Sequence, residues 1–463
     1  MQLTMAVAAC AVHGAAPYAS ARAAEPPRLE AQSRFPNLLG DTDRPLRYRP
    51  DGDDFVIDNG AEFFNRPLYG GNSAFRVDGG DKPEFSLYLP GRGGNLRLGV
   101  CMAAGTGPRC LWLHDAARIT TRYRPGELHY EIRDARLGAG GRISVVALAY
   151  AATEGLGVKV QGAGLPAATQ LVVAFGAGDG KRGRRDGDIG TEAVPIGEYF
   201  QFSPDAARGA RIEPGANGFR VVAPHATISI TAASRAGSGN ATTVNATGAA
   251  VIVANVTAAV ATAANATGAV ATAANATAAT TGAVGAAAVN AAPLVTRHDA
   301  AQWQHLDALL GSAPPSNADV DVNAEAGTGT GTGVAVARIA LAAAPVHLAV
   351  QVTARAGAQE QDVYRAVGAA TLDTDRAAAR LLPAFQTAEL AERFDQARQH
   401  FDRLRHRVRI DTPDPYLNAA MGALNVAADA VWDDSQGAIM HGAVAWRTKL
   451  LGWRGPYALD ALG

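Results

Sequence analysis

Residues 119–150 read ITTRYRPGELHYEIRDARLGAGGRISVVALAY, and this stretch sets the pattern for the first half of the chain. Three segments within it alternate apolar and polar side chains: ITTRY (119–123), LHYEIRD (128–134) and RISVVALAY (142–150). Glycine and proline residues lie between these segments and favour turns. Short alternating strands at close spacing, with turn formers between them, predict an antiparallel β-sandwich.

The same alternation extends in both directions, so we place the β-sandwich at residues 45–235 and its continuation at residues 334–356. Further segments of this kind are DFVID (54–58), FSLYLP (85–90), NLRLGV (95–100), GVKVQG (157–162), QLVVAFG (170–176), FRVVAP (219–224), VAVARIAL (334–341) and VHLAVQVTA (346–354).

Residues 236–333 have a different composition from the predicted sandwich. VATAANATGA (260–269) is followed by VATAANATAA (270–279), and a second low-complexity patch reads AGTGTGTG (326–333). Sequences dominated by Ala, Thr, Asn, Gly and Val bury little large apolar surface. We therefore predict a low-complexity insertion and a flexible loop at residues 236–333.

The hydrophobic period becomes helical after the second part of the sandwich. One apolar stripe recurs at helical spacing and predicts a helical linker at residues 376–410. The stripe consists of Leu390, Phe394, Ala397, Phe401 and Leu404. A turn at residues 411–415 then offers Asp and Thr as N-caps and Pro for the first turn, which predicts a helix over residues 416–432. Another helix is predicted around residues 443–451.

Charge and apolar runs exclude two classes of partner. The chain has 463 residues and a formal net charge of −1, which argues against duplex DNA or an anionic membrane as a partner. Outside the leader, no apolar run of membrane-spanning length lacks turn formers, so no transmembrane helix is predicted. The composition is typical of a bacterial source.

The first residues suggest export. MQLTMAVAACAVHGAAPYASARAA (1–24) has a short apolar run and an Ala-Arg-Ala at residues 21–23 that fits a signal-peptidase site. We predict a signal peptide over residues 1–24 and a periplasmic or secreted protein. A disordered Ala-rich N-terminus is the alternative.

Two cysteines outside that leader, Cys101 and Cys110, flank the segment MAAGTGPR. They could form a disulfide across a hairpin or remain two buried thiols, and the sequence favours neither. No cysteine spacing resembles a zinc site. We predict no metal site and no cofactor.

The end of the chain has the composition of a saccharide site. Residues 432–463 read WDDSQGAIMHGAVAWRTKLLGWRGPYALDALG, in which indole rings lie close to guanidinium and carboxyl groups. The C–H face of a sugar stacks on indole, and its hydroxyls hydrogen-bond to charged groups. The candidate substrate-binding residues here are His441, Trp446, Arg447, Trp453, Arg454 and Tyr457.

Asp460 is the candidate catalytic carboxyl in this stretch, and a structural role is an equally good interpretation. For Asp433 and Asp434, a loop or helix-terminus role is favoured over catalysis. His441 is, on general grounds, a packed or hydrogen-bonded histidine that could also hold a sugar hydroxyl.

Two polar, glycine-rich loops interrupt the predicted sandwich. In FFNRPLYGGNSAFRVDGGDKPEF (63–85), Asn65, Arg66 and Tyr69 are candidate substrate contacts, because glycine allows close approach of the backbone to a ligand. GAGDGKRGRRDGDIGTE (176–192) fits no glycine-rich nucleotide motif, so a phosphate-binding role is not expected.

Two segments resemble known glycosidases. TPDPYLNAAMGALNVAADAVW (412–432) resembles the first toroid helix of the six-hairpin (α/α) glycosidases, and RTKLLGWRGPYALDALG (447–463) more loosely resembles an active-site motif of the α-L-rhamnosidase branch. FNRPLYGGNSAFRVDGGDKPEFSLYLPGRGGNLRLG (64–99) and GKRGRRDGDIGTE (180–192) are similar to an uncharacterised bacterial family that joins a β-sandwich to such a toroid. This closer resemblance covers most of residues 45–235 and 385–463.

The rhamnosidase-like motif differs from its family at the position of the general-acid residue. The match retains Arg447, Leu451, Gly452, Trp453 and Gly455. Lys449 occupies the position of the general-acid Glu, and Thr448 occupies that of the preceding Asp. A lysine does not replace a carboxylic acid of raised pKa in protonating a glycosidic oxygen, so that mechanism does not transfer.

The resemblance implies a multidomain β + α protein, in which an antiparallel β-sandwich precedes a helical linker and the first helices of an incomplete (α/α) six-hairpin toroid at residues 411–463. A complete toroid has twelve helices, so we expect a C-terminally truncated fragment whose second catalytic carboxyl lies past Gly463. The implied function is hydrolysis of a plant or microbial glycan by two carboxyl groups, if the chain were full length. A sugar phosphorylase and a non-catalytic carbohydrate-binding sandwich are the alternatives.

Overall fold

The structure is a computed structural model, and it describes eleven ranges of the chain. These are residues 47–89, 91–103, 109–181, 196–215, 218–234, 242–244, 250–252, 294–312, 333–355, 381–434 and 437–440. The signal peptide predicted for residues 1–24 and the repeat at residues 260–279 lie outside them.

In the described residues, ten strands form one antiparallel sheet, with the order β1-β2-β8-β9-β10-β11-β20-β15-β14-β13. The strands of this first sheet are β1 (Arg49–Asp51), β2 (Asp54–Asp58), β8 (Arg118–Arg124), β9 (Glu127–Arg133), β10 (Arg142–Ala149), β11 (Gly155–Ala163), β13 (Arg211–Gly215), β14 (Gly218–Val222), β15 (Ala226–Ser234) and β20 (Val346–Arg355).

Eight strands within the same described ranges form a second antiparallel sheet, with the order β18-β19-β12-β6-β5-β4-β3 and with β7 paired to β6. The strands of this second sheet are β3 (Arg66–Tyr69), β4 (Arg76–Gly79), β5 (Glu84–Tyr88), β6 (Arg92–Met102), β7 (Arg109–Trp112), β12 (Gln170–Ala177), β18 (Leu294–Asp299) and β19 (Gly333–Ala340).

The two sheets enclose one hydrophobic core, to which both contribute alternate residues. On β9, Leu128, Tyr130 and Ile132 are almost fully buried, while the side chains between them are half-buried or exposed. Phe85 and Leu96 belong to the same core from the second sheet. The predicted antiparallel β-sandwich is therefore confirmed. Residues 119–150 alternate apolar and polar side chains because successive side chains of a strand point toward the core and away from it.

Part of the predicted insertion at residues 236–333 belongs to the sandwich, which corrects that boundary. Residues 294–299 form β18, which pairs with β19 over its whole length. The following helix α2 (Leu306–Gly311) and Trp303 cover the outer face of the second sheet. The low-complexity composition ends before residue 294, where the chain enters the edge strand of the second sheet.

The outer face of the first sheet is covered by α3 (Leu390–Arg405), which is followed by α4 (Pro415–Ala430). The stripe predicted from the sequence is the buried face of α3, where Phe394 and Phe401 pack against Leu148 and Ala349 of the sheet. The helical linker predicted for residues 376–410 is shorter than expected. Residues 381–386, which contain Pro383, are not helical, because proline cannot donate the backbone hydrogen bond of a helix interior.

Helix α4 begins and ends at residues whose local chemistry explains the boundary. The Asp414 side chain accepts a hydrogen bond from the Tyr416 amide at 2.8 Å, and Pro415 occupies the first turn. The helix ends at Ala430, two residues earlier than predicted, because Trp432 and Asp433 form β21 and pair with β22 (Ala438–Ile439). The remainder of the predicted toroid start lies outside the described residues.

A buried ion pair attaches the helices to the sandwich. Arg405 donates to Glu127 Oε1 and to the Pro125 carbonyl, each at 2.8 Å. His129 lies 2.8 Å from the other oxygen of Glu127. Asn425 of α4 donates to the Arg405 carbonyl at 3.0 Å, which ties the second helix to the first. The two helices are thus held against the first sheet by a connected polar network.

Cys101 and Cys110 form a disulfide between directly paired residues of β6 and β7, which decides between the alternatives left open by the sequence. The other short elements are α1 (Ile196–Tyr199), β16 (Thr242–Val244), β17 (Ala250–Ile252) and 3-10 turns at Leu113–Asp115, Ala135–Leu137, Pro204–Ala207, Ala300–Gln302 and Thr387–Glu389. None of the helices in the described ranges combines the length and the apolar character that crossing a membrane requires.

Candidate functional site

The loop between β3 and β4 meets the C-terminal end of α4. We call this region the junction, and define it as the loop at residues 70–75, the last turn of α4 and the hairpin of β21 and β22. It joins the sandwich to the start of the C-terminal stretch that the sequence marked as a saccharide site. At the junction, the loop that follows β3 contacts Asp434, near the start of that stretch.

The loop is fixed to the first sheet by its glycines. The Gly71 amide donates to the Tyr150 carbonyl at 3.2 Å. A Cβ atom at Gly70 would lie 2.5 Å from the same oxygen, so any other residue would push the loop away from the sheet. The Ser73 hydroxyl accepts from the Phe75 amide at 3.2 Å and closes the loop on its other side.

Asn72 connects this loop to the helix and to the hairpin. The backbone carbonyl oxygen of Asn72 accepts a hydrogen bond from the backbone amide of Asp434 at 2.9 Å. In the amide orientation that satisfies both ends of the side chain, the nitrogen donates to Asp429 Oδ2 and to the Asp429 carbonyl, each at 3.1 Å. One asparagine of the sandwich thus binds two acidic residues of the C-terminal segment.

Asp429 has an unusual electrostatic environment. Burial raises the pKa of its carboxyl above the ordinary value, and the charge of Asp434 acts in the same direction. The neighbouring charges of His400 and Arg407 oppose this rise without cancelling it. Asp429 also lies in the last turn of α4, where the helix dipole disfavours a negative charge. The site therefore favours a carboxyl group that retains its proton to a higher pH than usual.

The hairpin places an indole beside these carboxyls. Trp432 donates from Nε1 to Asp434 Oδ1 at 2.9 Å and pairs with Ile439 across the hairpin. Asp433 is fully buried, and the Met440 amide donates to the Val431 carbonyl at 2.7 Å. The hairpin is thereby closed onto the end of α4, with Trp432 and Asp434 half-buried at the junction.

Asp429, whose carboxyl has a raised pKa, lies near enough to Asp434 for the charge of Asp434 to contribute to that rise. A carboxyl with a raised pKa has the property that a proton donor requires. The half-buried indole of Trp432 adds a flat apolar surface beside them. Among the described residues, no group of three or more His, Cys, Asp or Glu side chains is placed to hold a metal ion.

The structure places the three candidates of the first loop outside the junction or at its margin. The Arg66 guanidinium lies 4.3 Å above the ring of Tyr48. Asn65 donates to Glu62 at 2.8 Å. Tyr69 packs against the cluster beneath α3. These contacts assign each side chain a structural partner, and a role in substrate binding stays a prediction.

The other candidates lie outside the described residues. They are the predicted substrate-binding residues His441, Trp446, Arg447, Trp453, Arg454 and Tyr457 and the candidate catalytic Asp460. The structure describes the second glycine-rich loop only to Lys181, whose carbonyl accepts from the Tyr199 hydroxyl at 2.8 Å.

A second constellation of sugar-site composition lies on the outer face of the second sheet. Arg97 donates to Glu84 at 2.9 Å, and its guanidinium lies 5.4 Å from the Trp112 ring and 4.8 Å from the Trp303 ring. Burial is the main cause that lowers the pKa of His114 next to this pair, to about 3. All five side chains are buried. We interpret this cluster as part of the layer beneath α2.

Sequence reasoning missed Asn72, Asp429 and His400. One signal was present for Asp429, because an acidic residue in the last turn of an otherwise apolar helix opposes the helix dipole. Asn72 lies inside the loop selected from the sequence, but its partners are more than three hundred residues away in the chain. No local pattern reports such a contact.

Comparison with known proteins adds a family of unknown activity. Residues 89–289 match the family described as Domain of unknown function (DUF4450). This match begins before β6 and covers less than half of the chain, and it does not include the junction. A search of curated proteins found no match.

Proposed function

We propose that this protein acts on carbohydrates as a glycoside hydrolase and that the junction forms part of its saccharide site. The observation that carries the proposal is the raised pKa of Asp429 beside Asp434 and the indole of Trp432. Glycoside hydrolysis needs one carboxyl that donates a proton to the leaving oxygen and another that attacks the sugar or activates water. In this proposal Asp429 is the proton donor.

The proposed saccharide site extends into the tail of the chain. Trp432 supplies one stacking surface, and Trp446, Arg447, Trp453, Arg454 and Tyr457 supply further stacking and hydrogen-bonding groups. Asp460 is the candidate for the second carboxyl. The resemblance of residues 412–432 to the first toroid helix of six-hairpin glycosidases supports this arrangement, with α4 as the first helix of an (α/α) toroid.

The proposal includes export from the cell. Disulfides persist in oxidising compartments such as the bacterial periplasm or the exterior of the cell. The Cys101–Cys110 disulfide is therefore compatible with an exported protein. A signal peptide over residues 1–24 would direct the protein there. Fractionation of the source cells, with N-terminal sequencing of the mature protein, tests the location and the cleavage near Ala23.

Release of reducing sugars from a panel of plant and microbial polysaccharides and oligosaccharides tests the function, with the protein expressed from its full open reading frame. Asp429→Asn keeps the shape of the side chain but removes the proton donor. We expect it to lower kcat by about 100-fold or more. Asp205→Asn is the matched control, since it removes an exposed carboxyl that pairs only locally with Arg208.

Each outcome assigns a different function. Hydrolysis that requires Asp429 supports the proposal. Turnover that requires inorganic phosphate indicates a sugar phosphorylase, and glycan binding without turnover indicates a carbohydrate-binding protein. Hydrolysis that is unaffected by Asp429→Asn removes the junction from the mechanism.

A further inference from the structure

The outer face of the second sheet carries polar side chains on three neighbouring strands. Alternate residues of β4, β5 and β6 belong to the main core, so the side chains between them point outward. Strand pairing places Asp78 opposite Ser86, and Ser86 opposite Asn95. Opposite side chains on one face of a sheet lie about 5 Å apart. Arg76 shares this face with Asp78 on β4, and we call these four residues the outer polar patch.

The outer polar patch is buried, although it faces away from the main core. Each of its four residues is at most 5 % exposed. The rings of Tyr88 and Phe200 lie 5.0 Å and 5.3 Å from the Arg76 guanidinium. The outward face of an antiparallel sheet is commonly polar and in contact with water. This face is polar and covered, so its polar atoms need partners other than bulk water.

Two polar atoms of the patch lack such partners. Arg76 donates from Nε to Asp78 Oδ2 at 2.9 Å, but among the described residues its Nη2 atom has no hydrogen-bond partner. The same holds for the hydroxyl of Ser86, directly across from Asp78. A buried unpaired group loses its hydrogen bonds to water without replacement, and folded proteins contain few such groups. Two of them beside one carboxylate indicate a place where a further polar group binds.

The carboxylate of Asp78 is also short of hydrogen-bond donors. Burial raises the pKa of this carboxyl to about 6, although the charge and the hydrogen bond of Arg76 act in the opposite direction. One guanidinium therefore does not replace the solvation that the carboxylate loses. A ligand that donates a hydrogen bond to Asp78 would favour the ionised form.

A short segment covers the patch. We call residues 196–202 the cover; they contain α1 and Phe200, whose carbonyl accepts from Asn95 at 2.9 Å. Arg92 donates to the Tyr199 carbonyl at 3.2 Å. The buried rings at this place form a small hydrophobic cluster apart from the main core, made of Phe64, Tyr88, Tyr199 and Phe200. A four-residue helix on so small a cluster opens more easily than the strands of the main core.

The charges of the patch favour a neutral ligand. Arg76 and Asp78 carry opposite charges, so an anion would be repelled by Asp78 and a cation by Arg76. A hydroxyl group can accept one hydrogen bond while it donates another. It can therefore accept from Arg76 and donate to Asp78, and a second hydroxyl beside it can pair with Ser86.

We propose that the outer polar patch binds two neighbouring hydroxyl groups of a neutral sugar or polyol, which enters when the cover opens. Arg76, Asp78 and Ser86 make the hydrogen bonds, and the ligand displaces Phe200 from the Arg76 guanidinium. The site consists of sandwich residues and the cover, and it does not include Asp429. Binding at the patch is therefore independent of the proposed hydrolysis.

Hydrogen–deuterium exchange of the complete chain, titrated with a probe, tests this site. The probes are glucose, galactose and arabinose as ring sugars and sorbitol as an open-chain polyol. We expect the amides of residues 196–202 to exchange faster as a probe saturates the patch, with a midpoint on the order of 1 mM for a ligand of this size. The amides of β9 should not change. A response to sorbitol as well as to the ring sugars assigns the adjacent hydroxyls alone as the ligand, and a response to ring sugars only assigns a saccharide.

Fully O-methylated methyl glucoside is the control probe. It keeps the oxygen acceptors of the sugar but has no hydroxyl donor for Asp78. We expect it to leave the exchange of residues 196–202 unchanged.

Ser86→Ala is the decisive variant. The Ser86 hydroxyl has no partner while the cover is closed, so its removal should leave the Tm unchanged. The same variant should raise the midpoint of the titration by about 5–10-fold, because one hydrogen bond to the ligand is lost. Ser144→Ala, at an exposed serine of β10, is the matched control and should change neither quantity.

Four results would overturn the proposal. They are a cover whose exchange no hydroxyl-bearing probe accelerates, an equal response to the methylated probe, a midpoint that Ser86→Ala does not move, and a lower Tm of that variant. The variant Asp429→Asn should lower the proposed hydrolysis and keep this titration, so failure of one proposal is distinguishable from failure of the other.

Discussion

At the scale of single residues, Asp429 is the proposed proton donor, and its ionised carboxyl is expected to lower the stability of the fold. Its carboxyl lies at the negative end of a helix dipole and is partly buried, and both conditions disfavour the ionised form. A group of this kind is expected where function and stability are in conflict. The same substitution therefore tests both properties.

We predict that Asp429→Asn raises the free energy of unfolding at pH 7 by roughly 1 kcal/mol. The pKa of Asp429 is raised in the folded state, so its stabilising contribution is complete below the unfolded pKa and is lost as pH rises through the folded value. Urea unfolding of both proteins at several pH values measures the difference, which should shrink toward pH 4. A variant less stable than the parent at pH 7 would contradict this account.

Gly70 tests how the loop at residues 70–75 is held. We predict that Gly70→Ala lowers the free energy of unfolding by about 1–3 kcal/mol, because the added methyl group overlaps the Tyr150 carbonyl at 2.5 Å. Gly140→Ala is the control, since a Cβ there meets nothing within 4 Å. Chemical denaturation measures both. Equal effects of the two substitutions would show that the loop is not pressed against the sheet.

At the scale of elements, the attachment of α3 to the sandwich depends on one fully buried carboxylate. Burial alone would raise the pKa of Glu127, but hydrogen bonds from His129 and Arg405 outweigh this and lower it to about 2. Arg398, whose side chain is more exposed, lies 3.3 Å from the second oxygen of Glu127 and adds a longer contact to the same carboxylate. Removing Arg405 or Glu127 breaks the buried pair and leaves the other charge buried with only part of its compensation.

We predict that Glu127→Gln and Arg405→Met each destabilise the protein by about 3–5 kcal/mol, and that the double variant loses less than the sum. Because the folded pKa of Glu127 is depressed, its contribution is present above the ordinary value of 4.5 and is lost as pH falls toward about 2. A double-mutant cycle by urea denaturation, repeated at pH 7 and pH 4, measures both effects. Additive losses would mean that the pair does not interact.

At the scale of the whole molecule, the structure is a layered assembly. The first sheet carries α3 on its outer face, the second sheet carries α2, and the main core lies between the sheets. The disulfide contributes to the outer layer, since Cys101 packs in the same cluster as Trp112 and Trp303. Loss of the disulfide should therefore weaken the packing of this outer layer as well as the hairpin of β6 and β7.

We predict that Cys101→Ser/Cys110→Ser lowers the free energy of unfolding by about 2–3 kcal/mol, since a short closed loop is released in the unfolded chain. For a domain of this size the Tm should fall by roughly 3–5 °C. Thermal unfolding with and without a reductant measures the change. The reductant should not affect the double serine variant, and an unmodified protein with the same Tm in both buffers would contradict the prediction.

Alternation and helical spacing are local properties, and the sequence by itself determined them. It specified strands such as β9 and β10, the buried face of α3 and the start of α4 at Asp414, because each follows from neighbouring residues. It did not reveal that residues 294–299 form a strand, since the low-complexity segment before them hid the pattern.

Only the tertiary structure decided which distant groups meet. β18 pairs with β19, and Asn72 contacts Asp429 and Asp434, although these residues are far apart in the sequence. Cys101 and Cys110 are close in the sequence, but the sequence was equally compatible with a disulfide and with two free thiols. Such contacts depend on how whole sheets and helices pack, and no short window of sequence contains that information. The sequence predicts a candidate site at the C-terminal end of the chain, and the contact of Asn72 with the start of that stretch became visible only in the fold.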